Sequence, residues 1–292
     1  METTALSDIW RDIETTEPSD RRKLAKELEL PDLQARVLVQ DRQLSQAIEG
    51  DDWLLIQLEL PEVKRRDVAL RNLTLLLGKS QIVTIHAGAL DAEITERVQT
   101  RHRESLTPSL IASIILQYTV EQFTPILNKI DDVTDQLEDT MIRTPQRKQV
   151  QQLFMYKRQL ADLRKVVLSL MNTLNGLSSG RYELFEERYE LYARDSYDYA
   201  WRTHELIDTM RDLLTSALDM YLSVVSNRMN DVMKRLTLVT TIFMPISFLT
   251  GLGGMNFSQL PFHDDTAFVI IMVLIVVMPL LMVWYFVWKK WL

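Results

Sequence analysis

Cysteine is absent from this chain of 292 residues, and histidine occurs only four times. Without thiols there can be no disulfide, no thiolate zinc site and no cysteine nucleophile. No two of the histidines are spaced to bind one metal from a single helix. Glycine-rich phosphate loops and nucleophile motifs are also missing from the sequence. The chain is therefore predicted not to be an enzyme and to carry no resident cofactor.

An excess of positive charge is also lacking, since the formal net charge is −7. No basic stripe is available to neutralise phosphates, which argues against a nucleic-acid partner. The first 30 residues are polar and charged, without the apolar segment that a secretory signal needs. We expect the N-terminal part to stay in the cytoplasm.

Charge itself disappears from two long runs near the C-terminus, 236–262 and 266–288. A bilayer core of about 30 Å needs about 20 apolar residues in a helix, and both runs are long enough. They predict a transmembrane hairpin over 235–292, with spans at about 236–256 and 267–288.

The residues flanking these runs predict the orientation of the hairpin. Lys234 and Arg235 precede the first span, and Lys289 and Lys290 follow the second. Because positive residues stay on the cytoplasmic side, both termini are expected to be cytoplasmic in a multi-pass protein of the cell membrane. The short loop between the spans would lie outside, where its two acidic residues would attract cations. These residues are Asp264 and Asp265.

The region before the hairpin divides into two parts by its pattern. Residues 1–104 predict a small cytoplasmic α/β domain with strands at 53–58, 68–77 and 81–85, and with a helix from Pro18 to Leu28. Residues 105–234 predict a helical stalk, so that the whole chain is of the α+β class.

Three helices are predicted from residue 105 onward. Thr107-Pro108 begins one that runs to about Arg143, and Thr144-Pro145 begins another that ends near Gly176 and Gly180. Between Gly180 and Gly251 there is no glycine and one proline, Pro245, which predicts a helix of about 105 Å. It would run from the cytoplasm directly into the first span, and a helix of this length needs neighbours to support it.

A polar stripe follows this helix at alternating steps of four and three residues, a spacing that keeps one face aligned in a left-handed supercoil. Only its two methionines have apolar side chains. In the cytoplasm such a face could simply meet solvent, and in the membrane small residues also occur at helix contacts. The polar stripe comprises Asp198, Arg202, Glu205, Thr209, Asp212, Ser216, Asp219, Ser223, Ser226, Asn230, Met233, Thr237, Thr240, Met244, Ser247 and Gly251.

The continuity of the polar stripe favours a hydrated axial path over these alternatives. Two spans per chain cannot enclose a pore, so several copies would have to surround it. Met233 and Met244 would then form apolar constrictions that can gate by dewetting. A neighbouring line that includes Leu206, Met210 and Leu213 predicts a packing seam.

The first span ends in Gly254-Met255-Asn256, preceded by the segments 227–236 (NRMNDVMKRL) and 242–245 (IFMP). With a second span behind it, this arrangement resembles the CorA family of magnesium channels over nearly the whole chain from about Ile9. The resemblance implies a homopentamer with a funnel-shaped cytoplasmic domain, embedded in the lipid bilayer. Its transported or bound ion would be Mg²⁺, with Co²⁺, Ni²⁺ and Zn²⁺ as further possibilities.

The resemblance also implies roles for particular residues. Gly254, Met255 and Asn256 would form the selectivity filter, whose Asn256 amides could bind the waters around Mg²⁺ without stripping them. The implied pore lining agrees with the polar stripe except for Leu236, which flanks it. Together the pattern and the resemblance predict as pore-lining Asp212, Asp219, Asn230, Met233, Leu236, Thr237, Thr240, Met244, Ser247 and Gly251.

The sequence departs from the family pattern in two places. Gly253 stands where the family usually has tyrosine before the Gly-Met-Asn motif, which is expected to loosen the filter. Asp195 matches one carboxylate of a regulatory magnesium site between subunits, but Arg36 stands where its partner aspartate should be. We expect an intersubunit ion pair between Arg36 and Asp195 in place of the ion, unless Asp198 or Asp32 takes over as a ligand.

Two other functions fit the same sequence. One is transport of zinc, cobalt or another divalent metal by a member of the same superfamily. The other is a membrane-anchored coiled-coil scaffold that conducts nothing. Ion uptake measured with the Asn256→Ala variant would distinguish a channel from a scaffold. Uptake rates of magnesium, cobalt and zinc would distinguish a magnesium channel from a transporter of another metal.

Overall fold

A computed structural model describes residues 6–15, 17–40, 44–64, 67–88, 90–100, 106–255, 265–289 and 291. The chain forms two compact units, unit 1 (Met1–Asp219) and unit 2 (Met220–Leu292). The predicted domain boundaries after residues 104 and 234 stay predictions.

Unit 1 contains a five-stranded sheet with the strand order β1-β5-β4-β3-β2. Strand β1 is parallel to β5, and the other neighbours are antiparallel. The three predicted strands are confirmed as β3, β4 and β5, whereas β1 and β2 were not predicted. The strands are β1 (Trp10–Glu14), β2 (Gln46–Glu49), β3 (Leu54–Lys64), β4 (Asp67–Leu77) and β5 (Ile82–His86).

Helices cover both faces of this sheet. On one face, α2 (Pro18–Glu27) and α3 (Asp32–Val39) pack onto apolar side chains of β3, β4 and β5. On the other, α5 (Pro108–Glu121) packs against the same three strands, and twelve of its fourteen residues are buried. A sheet buried on both faces explains why these strands are nearly continuous apolar runs rather than alternating ones. Two further short helices are α1 (Leu6–Ile9) and α4 (Ala92–Thr100).

The predicted helix from Thr107 to Arg143 is in fact two helices, α5 and α6 (Phe123–Arg143). Its start is confirmed, because the Thr107 hydroxyl accepts a hydrogen bond from the Leu110 amide at 3.3 Å. The break falls at Gln122 because Pro125 follows three residues later. Proline lacks an amide hydrogen, and its ring clashes with the carbonyl four residues earlier, here that of Glu121.

The next predicted boundary is confirmed. Helix α7 (Arg147–Ser178) begins just after Thr144-Pro145, with a capping box between Gln146 and Gln149. Gly180 follows its end with a φ of 67°, a conformation that favours glycine.

The long helix α8 (Glu190–Gly254) begins nine residues later than predicted. Residues 181–189 form turns and a short 3-10 helix (Glu187–Tyr189) because tertiary contacts hold them there. The Leu184 amide donates to the Glu49 carboxylate, and the Phe185 side chain is buried. The last helix, α9 (Asp265–Trp288), contains Pro279.

Among the described residues, three helical segments are long and apolar enough to cross a membrane. The apolar window of the first, Pro108–Arg143, is 72% buried inside the protein and belongs to the core of unit 1. The apolar windows of the other two, within α8 and α9, are only 6% buried. An apolar surface of this extent is unfavourable in water. It would be stable in the hydrocarbon core of a bilayer.

Candidate functional site

The polar stripe runs along α8 on a face that the chain itself leaves uncovered. Each of its sixteen positions is exposed, from Asp198 to Gly251. Leu236, the flanking position, is exposed as well. The structure therefore places the predicted pore-lining residues on one helix and leaves their side chains exposed.

The opposite face of α8 is buried within unit 1. The predicted seam is only partly right, because Met210 is buried whereas Leu206 and Leu213 are exposed. The observed packing seam is rotated around the helix relative to the predicted one. Alanine, serine and threonine provide more than half of its buried side chains. Its buried positions in unit 1 are Ala193, Ser196, Ala200, Thr203, Ile207, Met210, Leu214 and Ala217.

Hydroxyl groups on the polar stripe have a defined hydrogen-bond direction. Thr237 Oγ1 lies 2.9 Å from the Met233 carbonyl oxygen, and Thr240 Oγ1 lies 2.9 Å from that of Leu236. A carbonyl oxygen can only accept, so each hydroxyl must donate its single proton to the helix backbone. The lone pairs left on the threonine oxygens are acceptors, and the water molecules around a cation point hydrogens outward towards acceptors.

Two carboxylates extend the polar stripe into unit 1. Asp212 and Asp219 are both exposed, and neither forms an ion pair with any residue that the structure describes. Uncompensated negative charge on an uncovered face attracts cations.

The predicted filter lies at the C-terminal end of α8. The helix ends at Gly254, and Met255 follows with an exposed side chain and its amide 3.3 Å from the Leu252 carbonyl. A Cβ atom built on Gly251 or Gly254 would meet no described residue within 4 Å. Asn256 and Asp264 lie outside the described residues. Asp265 begins α9.

The predicted regulatory carboxylates, Asp195 and Asp198, are both exposed on α8. Asp195 lines a cavity of about 280 Å³ with residues of α5 that include Glu121. Asp198 lies 3.8 Å from Arg194. Among the described residues no three carboxylate or histidine side chains converge to hold a metal, so one chain alone supplies no complete site. Arg36 is exposed and forms no ion pair with the described carboxylates of its own chain.

The sequence did not predict the cluster that anchors α8 to α7. Arg164 binds Asp208 with two hydrogen bonds, 2.7 and 3.3 Å long, and Arg211 adds a third at 3.2 Å. The hydrogen bond from Arg164, aided by Arg211 and His204, lowers the pKa of Asp208 against a small opposing effect of burial. This cluster joins α8 to α7 one turn before Asp212. Since its partners are 44 residues apart, no local signal could have revealed it.

A further negative surface lies on α6. Asp131, Asp135 and Asp139 are spaced four residues apart on α6, and all three are exposed. Between them, burial and the charges of Asp135 and Asp139 raise the pKa of Glu138. Burial is the larger cause of this shift, and the neighbouring carboxylates add to it.

The fold and the site define a class of membrane-associated protein. It has an α/β unit, a long helix with an exposed polar face, and an apolar helix that follows in the chain. The comparisons agree. The family described as CorA-like Mg²⁺ transporter protein matches residues 7–290, and the chain belongs to this family. Members of this family are ion transporters rather than enzymes.

Individual relatives support this assignment. The chain is 36% identical over 196 residues to the cobalt/magnesium transport protein CorA of Thermotoga maritima, a match covering 67% of this chain and 54% of that protein. It is 26% identical over 183 residues to the zinc transport protein ZntB of Yersinia pseudotuberculosis, over 62% of this chain and 54% of that protein.

A solved structure shows the same fold over almost the whole chain. The complete structure of the CorA magnesium transporter from Methanocaldococcus jannaschii matches with a TM-score of 0.85 at 23% identity, covering 98% of this chain and 92% of that one. The predicted α+β class, with its long helix and apolar C-terminal helix, is confirmed.

Proposed function

We propose that five copies of this chain form a membrane channel that conducts Mg²⁺ inward along an axis lined by the polar stripe. The observation that carries the proposal is that all of the stripe is exposed while the opposite face of α8 in unit 1 is buried. A continuous polar face on a helix that enters a bilayer is costly against lipid and favourable around a hydrated path.

The chemistry along the stripe suits a hydrated divalent ion. Mg²⁺ sheds its water reluctantly, so a lining that accepts hydrogen bonds from bound water can pass the ion with its shell. Thr237 and Thr240 offer acceptor oxygens, and Asp212 and Asp219 offer charge on the cytoplasmic side. Neutral residues within the membrane let the ion leave again.

The driving force needs no nucleotide. A divalent ion gains about 4.6 kcal/mol per 100 mV of membrane potential. Because the cytoplasmic side of a cell membrane is negative, this gain favours influx of a cation whichever way the channel is oriented.

Zinc is the second candidate cargo, since one relative is named as a zinc transport protein. A magnesium channel and a zinc transporter would share the axial path and differ in the filter. In this chain Gly253 precedes the Gly-Met-Asn motif, and Met255 is part of it. Uptake of Mg²⁺, Co²⁺ and Zn²⁺ measured side by side would decide between them.

The test uses purified full-length protein in liposomes loaded with a magnesium-sensitive dye. We expect uptake by the wild type and at least a tenfold loss in Asn256→Ala, because the amide would bind the hydrated ion at the filter. Asn227→Ala is the matched control, since Asn227 is an exposed asparagine of α8 outside the polar stripe. A wild type that takes up no metal ion, as expected of a scaffold, would refute the proposal.

A further inference from the structure

The end of α9 carries a group of aromatic side chains that unit 2 leaves uncovered. Trp284 and Trp288 stack with ring centroids 6.5 Å apart and planes 7° from parallel, and each is 67% exposed. The Lys289 ammonium lies 5.3 Å from the Trp288 ring centroid. Stacked indoles next to a cation are typical of the boundary between membrane and water.

The chain beyond α9 is held close to this group. The Trp291 amide donates to the Phe286 carbonyl at 2.9 Å, and the two rings stack 6.0 Å apart. The indole N–H groups of Trp284, Trp288 and Trp291 have no acceptor among the described residues, whereas the buried Trp10 and Trp53 each donate to a protein oxygen. Three donors are thus available to an external acceptor.

Two more cations lie at the same end of the hairpin, on α8. Leu238 of α8 and Phe286 of α9 are 4% and 8% exposed, and they are the buried residues within the described part of unit 2. Lys234 and Arg235 precede Leu238 by about one turn, and Lys289 follows Phe286 by less than one. Both α8 cations are exposed.

These three cations form few contacts with acidic groups, and Asp231 is the nearest carboxylate on α8, one turn before Lys234 and Arg235. None forms an ion pair with a described residue of the chain. In the sequence no Asp or Glu occurs from Val232 to His263 or after Asp265. Positive charge and free indole donors next to apolar helices complement a phosphate group that is attached to acyl chains.

We propose that Lys234, Arg235 and Lys289, together with the tryptophans of α9, form a binding site for the headgroup of an anionic phospholipid. The cations and the indole N–H groups would bind the phosphate oxygens, and the ring faces of Trp284 and Trp288 would contact the upper acyl chains. The site recognises lipid charge and is separate from the polar stripe.

The test measures tryptophan fluorescence of the full-length protein in phosphatidylcholine vesicles. A fraction of the lipid carries bromine at carbons 6 and 7 of one acyl chain, either as phosphatidylglycerol or as phosphatidylcholine. One unit of positive charge near a membrane surface enriches anionic lipid roughly fivefold. We therefore expect stronger quenching by the brominated phosphatidylglycerol at equal mole fraction.

Variants separate the site from general attraction to the surface. In the triple variant Lys234→Gln/Arg235→Gln/Lys289→Gln, the two brominated lipids should quench tryptophan fluorescence to nearly the same extent. Lys234→Arg/Lys289→Arg keeps the charge and should keep the preference, and so should Lys79→Gln, an exposed control in unit 1. Equal quenching of the wild type by both lipids would overturn the proposal, as would a preference that survives in the triple glutamine variant.

Discussion

Helix α8 passes from unit 1 into unit 2, and its two parts differ in how the chain covers them. In unit 1 one face is buried at regular steps, from Ala193 to Ala217, and the Arg164–Asp208 ion pair adds a contact with α7. In unit 2 Leu238 is the one buried position among the described side chains of the helix. The same helix is therefore packed by its own chain in one part and left uncovered in the other.

The difference shows which part of the molecule is complete within one chain. Unit 1 has a sheet with both faces covered and a core of its own. Unit 2 exposes apolar and polar faces together, which is stable only when lipid covers the first and something hydrated meets the second. We therefore expect unit 1 to account for most of the stability of one chain and unit 2 to depend on its surroundings, and three experiments test this difference.

The largest effect is expected for a core truncation within unit 1. Leu214 and Leu222 lie eight residues apart on α8, the first buried and the second exposed. Leu214→Ala should lower the free energy of unfolding by about 2–5 kcal/mol, because it leaves a cavity against neighbouring helices. Leu222→Ala is the matched control and should cost under about 1 kcal/mol. Urea unfolding in detergent, followed by circular dichroism, measures both, and equal losses would contradict the comparison.

A smaller effect is expected from a buried ion pair in the sheet of unit 1. His86 is 2% exposed, with Nε2 2.8 Å from an Asp12 oxygen and Nδ1 2.6 Å from the Gly88 carbonyl. Both partners can only accept, so both ring nitrogens donate and the imidazole is charged. Thr84 also donates to Asp12. The pair joins the edge strand β1 to β5.

The pKa shifts of this pair fix the sign of the pH dependence. The hydrogen bond to Asp12 raises the pKa of His86 above its ordinary value, against the opposing effect of burial and the Arg71 charge. Burial alone would raise the pKa of Asp12, but hydrogen bonds from His86 and Thr84 outweigh it and lower the pKa. The stability from His86 is complete below its unfolded pKa and is lost as pH rises through the folded one. That from Asp12 is lost only as pH falls through its lowered value.

We therefore expect thermal unfolding of unit 1 to shift to lower temperature on the alkaline side. Asp12→Asn should remove this alkaline loss and cost about 1–3 kcal/mol at neutral pH, with the lower end favoured because Asp12 is partly exposed. Scanning calorimetry between pH 5 and 9 measures both. Asp20→Asn, which changes an exposed carboxylate paired with Lys23, is the control and should keep the wild-type profile. An unchanged alkaline loss in Asp12→Asn would contradict the assignment.

The sequence predicted those parts of the fold that have a local signal. Strands β3, β4 and β5 are rich in apolar residues, and the polar stripe repeats at the spacing of a supercoiled helix. The short strands β1 and β2 gave no such signal, because β1 owes its place to parallel pairing with β5, some 70 residues away. Pairs such as Arg164–Asp208 and Asp12–His86 join distant parts of the chain and leave no pattern in either segment.

The interruptions of helices were predictable only in part. Pro125 explains the break between α5 and α6 at Gln122. Since a proline inside a helix disrupts it, this break was predictable from the sequence. The late start of α8 has no equivalent signal, because residues 181–189 have helical composition and are diverted by contacts to Glu49 and Ser109. For the site, the sequence predicted which face of α8 is polar, whereas the contact between Arg164 of α7 and Asp208 of α8 was not predictable.

The smallest effect tests the part of α8 in unit 2, through a single hydroxyl. Thr240 lies on the polar stripe and Thr250 lies off it, yet both donate to a helix carbonyl at 2.9 Å. Valine has nearly the same shape, so Thr240→Val removes one acceptor oxygen from the proposed path and little else. Magnesium uptake in liposomes should fall by less than about tenfold, as expected when one modest hydrogen bond per copy is lost. Thr250→Val should leave uptake unchanged, because its oxygen would face lipid or a neighbouring helix. If both variants transported equally, the polar stripe would not line the path, and the exposed face of α8 would need a different partner from the hydrated ion.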